Sequence, residues 1–150
     1  MLRRANHCAT AFSNPADLRS AHFPALRAVV AEGGYHDFAD EIARNTPPTL
    51  WFAPLFRSGA EIGYQMTTGL NIRLLSPVSV IEQIAPRPIL LIYGTNEPGL
   101  NGARLQQAAA GSNAELWEVP GAGHGNYAQV APREYRTRVS AFMESALNGD

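Results

Sequence analysis

The residue best suited to acid–base chemistry is His124, which lies in a glycine-rich stretch after an apolar run. Residues 120–125 read Pro-Gly-Ala-Gly-His-Gly. Histidine is the usual general base because it gains and loses a proton near neutral pH. Neighbouring glycines let the backbone approach a ligand closely. The position fits a general base, and it also fits a loop histidine that bonds only to a neighbouring carbonyl.

A carboxylate, Glu97, follows the preceding apolar run in a similar way, because residues 94–98 read Gly-Thr-Asn-Glu-Pro. A carboxylate placed there could accept a hydrogen bond from a histidine ring nitrogen and fix its tautomer. The alternative is a solvated loop acid. Neighbouring parallel strands lie ~4.8 Å apart, so two loops that leave the same end of adjacent strands could bring Glu97 to His124.

Three apolar runs, each followed by a glycine-bearing loop, are the elements that would position these residues. They cover residues 26–31, 89–93 and 115–119. The first two are nearly continuous in apolar character, which favours strands buried on both faces of a parallel sheet. The third alternates more, which is typical of a strand nearer an edge.

Helical patterns occupy the intervals between the runs. Residues 14–17 (Asn-Pro-Ala-Asp) and 76–77 (Ser-Pro) are helix-start signals, and residues 101–110 are strong helix formers with Gly111 placed to end them. Phe38 with Ile42, and apolar residues spaced through 135–147, give helical stripes. The alternation of helices and strands predicts an α/β fold with parallel strands.

Residues 45–75 interrupt this alternation. The segment carries Pro47, Pro48 and Pro54 among several aromatic residues. We interpret it as an irregular or short-helical excursion. It could be a connecting segment packed on the core, or a cap that lines an apolar pocket.

Four segments together resemble the α/β-hydrolase superfamily, a serine-hydrolase type, and in particular its peptidase-like and esterase-like bacterial members. Residues 84–97, with a Pro-Arg-Pro lead-in, look like the strand that carries the acid, and residues 116–124 look like the strand and loop that deliver the catalytic histidine. Residues 132–142 are similar to the last helix, and residues 26–34 to the strand after the nucleophile helix. The resemblance covers roughly residues 24–148.

The resemblance implies roles for the two residues singled out above. His124 would be the general base and Glu97 the orienting acid, where most members of the superfamily have Asp and some branches have Glu. The implied activity is hydrolysis of a small-molecule ester or a peptide through an acyl-enzyme, with no cofactor.

The predicted fold is a partial α/β-hydrolase fold: a three-stranded parallel sheet core with flanking helices. Such a domain usually needs about 200–250 residues or more, whereas this chain has 150. Residues 24–150 would be the C-terminal half of the domain, and residues 1–23 a remnant of the helix region after the nucleophile.

The nucleophile of such a hydrolase stands on a Gly-x-Ser-x-Gly turn between a strand and a helix, and no serine of this chain has glycine at both flanking positions. The turn should fall about 16–20 residues before Leu26, given a crossover helix of ~10–12 residues. Cys8 lies in that window as a remote candidate, without the glycines and without a predicted strand before it. The chain alone is therefore expected to be weakly active or inactive, because triad residues act as a unit.

The alternative function is a non-catalytic binding or assembly protein. With half of the sheet missing, the strand at residues 26–31 would have an unpaired edge, and such an edge pairs with another chain. We therefore expect a homodimer or a larger species across that edge.

Composition excludes several other classes of function. All 12 basic residues are Arg and the net charge is −1, so a P-loop lysine, a Schiff-base lysine and a broad nucleic-acid surface are absent. No apolar run reaches the ~18 residues of a membrane span, no histidines have metal-ligand spacing, and no glycine pattern fits a dinucleotide binder. The expectation is a cytoplasmic chain with no cofactor, metal, nucleic-acid or membrane partner.

Overall fold

The structure, a computed structural model, describes residues 7–12, 26–46, 51–69, 71–72 and 75–148. The chain divides into two compact units. The first, called the sheet unit here, comprises the residues up to His36 and those from Pro77 onward. The second, called the helical unit, is Asp37–Ser76.

The sheet unit contains four parallel strands in the order β1-β2-β3-β4. They are β1 (His7–Phe12), β2 (Leu26–Glu32), β3 (Ile89–Gly94) and β4 (Ala114–Val119). The last three are the apolar runs of the sequence, and they lie side by side in one open sheet, as predicted. β4 is an edge strand of the sheet, which agrees with the alternating pattern of its sequence.

The strand register aligns the carboxyl ends of β2, β3 and β4. Glu32 of β2 pairs with Ile92 of β3, and Gly94 of β3 pairs with Val119 of β4. Gly33 continues the β2 ladder by donating to the carbonyl of Ile92 at 3.1 Å. The loops after all three strands therefore leave from one edge of the sheet, where ligand crevices form in open parallel sheets.

Strand β1 corrects two expectations from the sequence. No strand was predicted before Leu26, yet His7–Phe12 pairs with β2, so part of the expected helix remnant at residues 1–23 is a strand and the edge of β2 is not free for a homodimer. The run His-Cys-Ala-Thr-Ala-Phe contains no Val, Ile or Leu, which hides this strand in the sequence, while the buried backbone of β2 needs hydrogen-bond partners on both sides. The helix start predicted at residues 14–17 lies outside the described residues.

The helices occur where the periodic patterns indicated, with one exception in the helical unit. They are α1 (Phe38–Asn45), α2 (Ala53–Thr68), α3 (Pro77–Val80), α4 (Leu100–Ala110), α5 (Tyr127–Val130) and α6 (Pro132–Asn148), and a 3-10 turn at Ile81–Ile84 follows α3. Gly111 ends α4 as predicted, with a φ of 64° that a residue with a side chain rarely adopts. No helix in the described part of the chain is both long and apolar enough to cross a membrane.

Both faces of the sheet are covered. Val29, Leu91 and Tyr93 pack on one face together with residues of α4. Val30 and Ile92 pack on the other face with Trp117, against one side of α6. Each fully buried Leu or Ile contributes about 1.5–3 kcal/mol. β2 and β3 are continuously apolar because they are buried on both faces of the sheet, as the sequence predicted.

The helical unit is more regular than the irregular or short-helical excursion expected at residues 45–75. Ala53–Thr68 is one helix of 16 residues, which begins with a proline in its first turn and ends at Gly69 with a φ of 72°. Its less exposed residues recur at helical spacing but include the charged Arg57 and Glu61, whereas large apolar residues, Leu55, Ile62 and Met66, are exposed. Charged residues on the less exposed side, together with Gly59 and Gly63 inside the helix, explain why sequence periodicity did not reveal it.

Candidate active site

The loops after β3 and β4 are joined by direct hydrogen bonds. The backbone amide of Thr95 donates to the carbonyl of Val119 and that of Asn96 to the carbonyl of Ala122, both at 3.0 Å. The amide of Gly121 donates to the Thr95 hydroxyl at 2.8 Å, and the Asn96 side chain donates to the Gly121 carbonyl at 3.2 Å. The two loops therefore form one rigid surface at the carboxyl edge of the sheet.

Gly94 makes this junction possible. A Cβ atom there would collide with the carbonyl group of Ala122 and lie 3.0 Å from the carbonyl oxygen of Gly123. These are backbone atoms, which cannot rotate out of the way. The glycine that follows the second apolar run is therefore required for the close packing of the two loops.

Glu97 lies at the centre of the junction and is buried, with its side chain 3% exposed. Its Oε2 accepts hydrogen bonds from the amide of Gly94 at 3.1 Å and from the hydroxyl of Tyr127 at 2.8 Å. Its Oε1 lies 2.9 Å from Nδ1 of His124. A buried carboxylate needs such donors in place of water, so Glu97 is not the solvated loop acid of the alternative interpretation.

His124 is held at one ring nitrogen and open at the other. An ionised Glu97 can only accept hydrogen bonds, so a neutral His124 ring that bonds to it carries its proton on Nδ1. The side chain is 61% exposed, and no described residue forms a hydrogen bond with Nε2. The structure thus brings the two sequence-predicted residues together, in an arrangement that can accept a proton at Nε2.

Gly33, in the loop after β2, reaches the same point. Its φ is +57°, and a Cβ atom there would collide with the Tyr127 hydroxyl and lie 2.8 Å from Nδ1 and Cε1 of the His124 ring. The sequence showed a glycine after the first apolar run without assigning it a role. Only the folded structure reveals that the imidazole and the phenol pack directly on this backbone.

Tyr127 is the second residue that sequence reasoning missed. Only 2% of the Tyr127 surface is exposed to solvent. Burial raises the pKa of the phenol well above its usual range, and the hydrogen bond to Glu97 raises it further, against a lowering contribution from the backbone of Gly125. Tyr127 is therefore a neutral hydrogen-bond donor at any physiological pH. No spacing signal links it to Glu97, which is 30 residues away in sequence.

A second buried carboxylate lies at the end of β2. Glu32 accepts a hydrogen bond from the hydroxyl of Tyr135 in α6. Burial raises the pKa of Tyr135 to about 12, with the Glu32 hydrogen bond as the next cause. This pair ties α6 to the sheet.

Cys8, the remote nucleophile candidate, lies inside a strand rather than after one. It pairs with Ala28, and β1 continues to Phe12. A nucleophile of this type stands on the turn that follows its strand, so the position of Cys8 does not fit. Within the described residues, no serine, threonine or cysteine is hydrogen-bonded to His124, and no group of three or more His, Cys, Asp or Glu residues could hold a metal ion.

Comparison with known proteins supports the fold. No protein-family model matches the chain. The uncharacterised protein PA2218 of Pseudomonas aeruginosa is 33% identical over 84 residues, which are 56% of this chain and 23% of that protein. The chain therefore spans only a part of the length of this curated relative.

Solved structures match nearly the whole chain. The crystal structure of PA2218 matches with a TM-score of 0.64 at 19% identity, over 95% of this chain and 60% of that one. An esterase of Pyrococcus furiosus, Pf2001, gives 0.67 at 20% identity over 95% and 55%. The α/β hydrolase GrgF of a Penicillium species gives 0.64 at 13% identity over 93% and 63%. The chain, with its open parallel sheet and flanking helices, therefore has the α/β-hydrolase-like fold that its motifs predicted.

Proposed function

We propose that the protein provides the general base and the orienting acid of a hydrolase that cleaves ester or peptide bonds. The observation that carries the proposal is the contact between His124 Nδ1 and Glu97 Oε1 at 2.9 Å, with the opposite ring nitrogen free of described partners. The likeness in fold to an esterase supports this class of chemistry, as does the sequence resemblance to esterase-like and peptidase-like hydrolases.

In this function His124 takes a proton through Nε2 from an attacking hydroxyl, thiol or water, and later returns it to the leaving group. Glu97 keeps the proton of the neutral ring on Nδ1 and stabilises the imidazolium that forms. Since no nucleophile contacts His124 among the described residues, the base is expected to act mainly on water when the chain is alone. The rate is then far below that of a complete triad, because triad residues act as a unit.

Hydrolysis of p-nitrophenyl butyrate by the purified chain tests the proposal. General-base catalysis contributes on the order of 10²-fold at its lower end, so H124Q and E97Q should each lose most of the rate above the spontaneous reaction. E115Q is the matched control for E97Q, since Glu115 is an exposed carboxylate of β4 that pairs with Arg138, and it should keep the wild-type rate.

Covalent probes add a second measurement to this test. A fluorophosphonate that labels the wild type and not H124Q would support an acyl-enzyme, whereas labelling of Cys8 by a thiol reagent independently of His124 would exclude Cys8 as the activated nucleophile. Equal hydrolysis by the wild type and H124Q, with no fluorophosphonate labelling, would overturn the proposed function.

Self-association is the second candidate function, and exposed apolar side chains favour it. Trp51 is 90% exposed, Leu55 75% and Met66 82%. Leu55 and Met66 are eleven residues apart in α2 and so lie on one face of the helix, and exposed apolar patches mark interaction sites. Light scattering at micromolar concentration should show a dimer or larger species, and L55E and M66E should shift the protein toward monomer. A monomeric wild type would exclude this function.

A further inference from the structure

We propose that Tyr127 is a positioning residue that fixes the Glu97 carboxylate, and through it the tautomer of His124. This inference rests on the proposed function, because it concerns the same base and acid. Neither the motifs nor the likeness in fold assigns Tyr127 a role.

The two oxygens of Glu97 have separate partners. Oε2 accepts from the Tyr127 hydroxyl at 2.8 Å and from the Gly94 amide at 3.1 Å, whereas Oε1 faces His124 at 2.9 Å. Bonds on both oxygens prevent the carboxylate from turning about its last torsion, which is otherwise broad. Glutamate has one more rotatable bond than aspartate, so it depends more on such an external constraint.

The Tyr127 ring is itself immobilised by packing. It belongs to a buried cluster with Val30, Ile92, Trp117 and Ala122, and it stands at the first position of α5. Its hydroxyl therefore reaches Glu97 from a fixed direction. Gly33 leaves room for this arrangement, since a Cβ atom there would collide with the hydroxyl.

The charge state of the phenol suits this role. Burial, followed by the hydrogen bond to Glu97, raises the pKa of Tyr127, so the hydroxyl keeps its proton and donates without adding charge to the site. Removal of the hydroxyl leaves Oε2 with the Gly94 amide alone. The carboxylate can then turn, and Nδ1 of His124 loses the partner that holds its proton.

The test is a ¹⁵N NMR measurement of the His124 imidazole at a pH where the ring is neutral. The wild type should show the Nδ1–H tautomer as the main form, and Y127F should shift a measurable fraction, several-fold above that in the wild type, to the Nε2–H tautomer. Y135F is the matched control because it also loses a phenol–carboxylate hydrogen bond, to Glu32 rather than Glu97, and it should keep the wild-type tautomer. A folded Y127F with wild-type nitrogen shifts would overturn the inference.

A second substitution keeps the test decisive where Y127F does not fold. Incorporation of 3-fluorotyrosine at position 127 retains the ring shape and makes the hydroxyl a stronger donor. It should draw charge from the carboxylate and move the Nδ1–H proton resonance of His124 upfield, while the same substitution at position 135 should not. No movement at His124 would overturn the inference.

The tautomer measurement needs no turnover, so the two proposals fail separately. A tautomer change in Y127F without any hydrolysis by the wild type would support the positioning role and overturn the proposed function. Unchanged nitrogen shifts in Y127F, with hydrolysis that depends on His124, would overturn the positioning role alone.

Discussion

The carboxyl edge of the sheet and the helix α2 in the helical unit differ in how their side chains are used. At the sheet edge, Glu97 is buried with donors at both oxygens, and Gly94 packs against the backbone of the next loop. In α2, Leu55 and Met66 are exposed, and Gly59 and Gly63 have open space where a Cβ would lie. Substitution of the same residue type should therefore change the free energy of unfolding by different amounts in the two regions, because the side chains are packed in one and exposed in the other.

The largest expected contrast is between two leucines. Leu91 of β3 is 0% exposed, whereas Leu55 of α2 is 75% exposed. We expect L91A to lose about 2–5 kcal/mol of unfolding free energy through lost burial and a cavity, and L55A to change it by less than about 0.5 kcal/mol. Urea titration followed by fluorescence of the buried Trp117 and by circular dichroism measures both. Equal losses would show that α2 is packed more tightly than its exposure indicates.

Two glycines give a contrast in sign. A Cβ at Gly94 would meet the backbone of the adjacent loop, so G94A should lose about 3 kcal/mol, at the upper end for overpacking. G59A places a Cβ in open space within a helix and should gain about 0.5–1 kcal/mol. The same denaturation experiment decides the sign, and destabilisation by G59A would contradict an open helix face.

Two tyrosines test the hydrogen bond at the site. Y127F removes a donor to a buried carboxylate and should lose about 1.5–3 kcal/mol. Y64F is the control, since the Tyr64 ring of α2 packs at a tilt against Phe38 and its hydroxyl has no hydrogen bond to another described residue. It should change stability by less than about 0.5 kcal/mol. A loss in Y64F as large as that in Y127F would contradict a specific contribution from the hydrogen bond between Tyr127 and Glu97.

The smallest expected effect is a pH dependence in the sheet unit. The folded pKa of Tyr135 is raised to about 12, above the ~10 of an unfolded tyrosine. The resulting stabilisation is fully present below pH ~10 and is lost as pH rises toward the folded pKa. Denaturation midpoints measured across this range should fall, and Y135F should fall less steeply. Parallel profiles would contradict the link between Tyr135 and this loss.

Much of the sheet unit could be predicted from local patterns. Continuous apolar runs revealed β2 and β3, alternation placed β4 at an edge, and Gly111 marked the end of α4. These features are local consequences of burial and backbone conformation, so a short stretch of sequence carries them. The patterns did not reveal β1 and α2, because β1 has no Val, Ile or Leu and because the less exposed side of α2 carries charged residues while its large apolar residues are exposed.

The sequence by itself determined the order along the chain of β2, β3 and β4, the residue types at their carboxyl ends, and hence His124 and Glu97 as the candidates for acid–base chemistry. The tertiary structure alone decided that these two side chains meet, that Tyr127 joins them, and that Gly33 leaves the space they need. The physical reason is distance along the chain: His124 and Glu97 are 27 residues apart. A contact of that kind depends on strand register and loop packing, which no local pattern encodes.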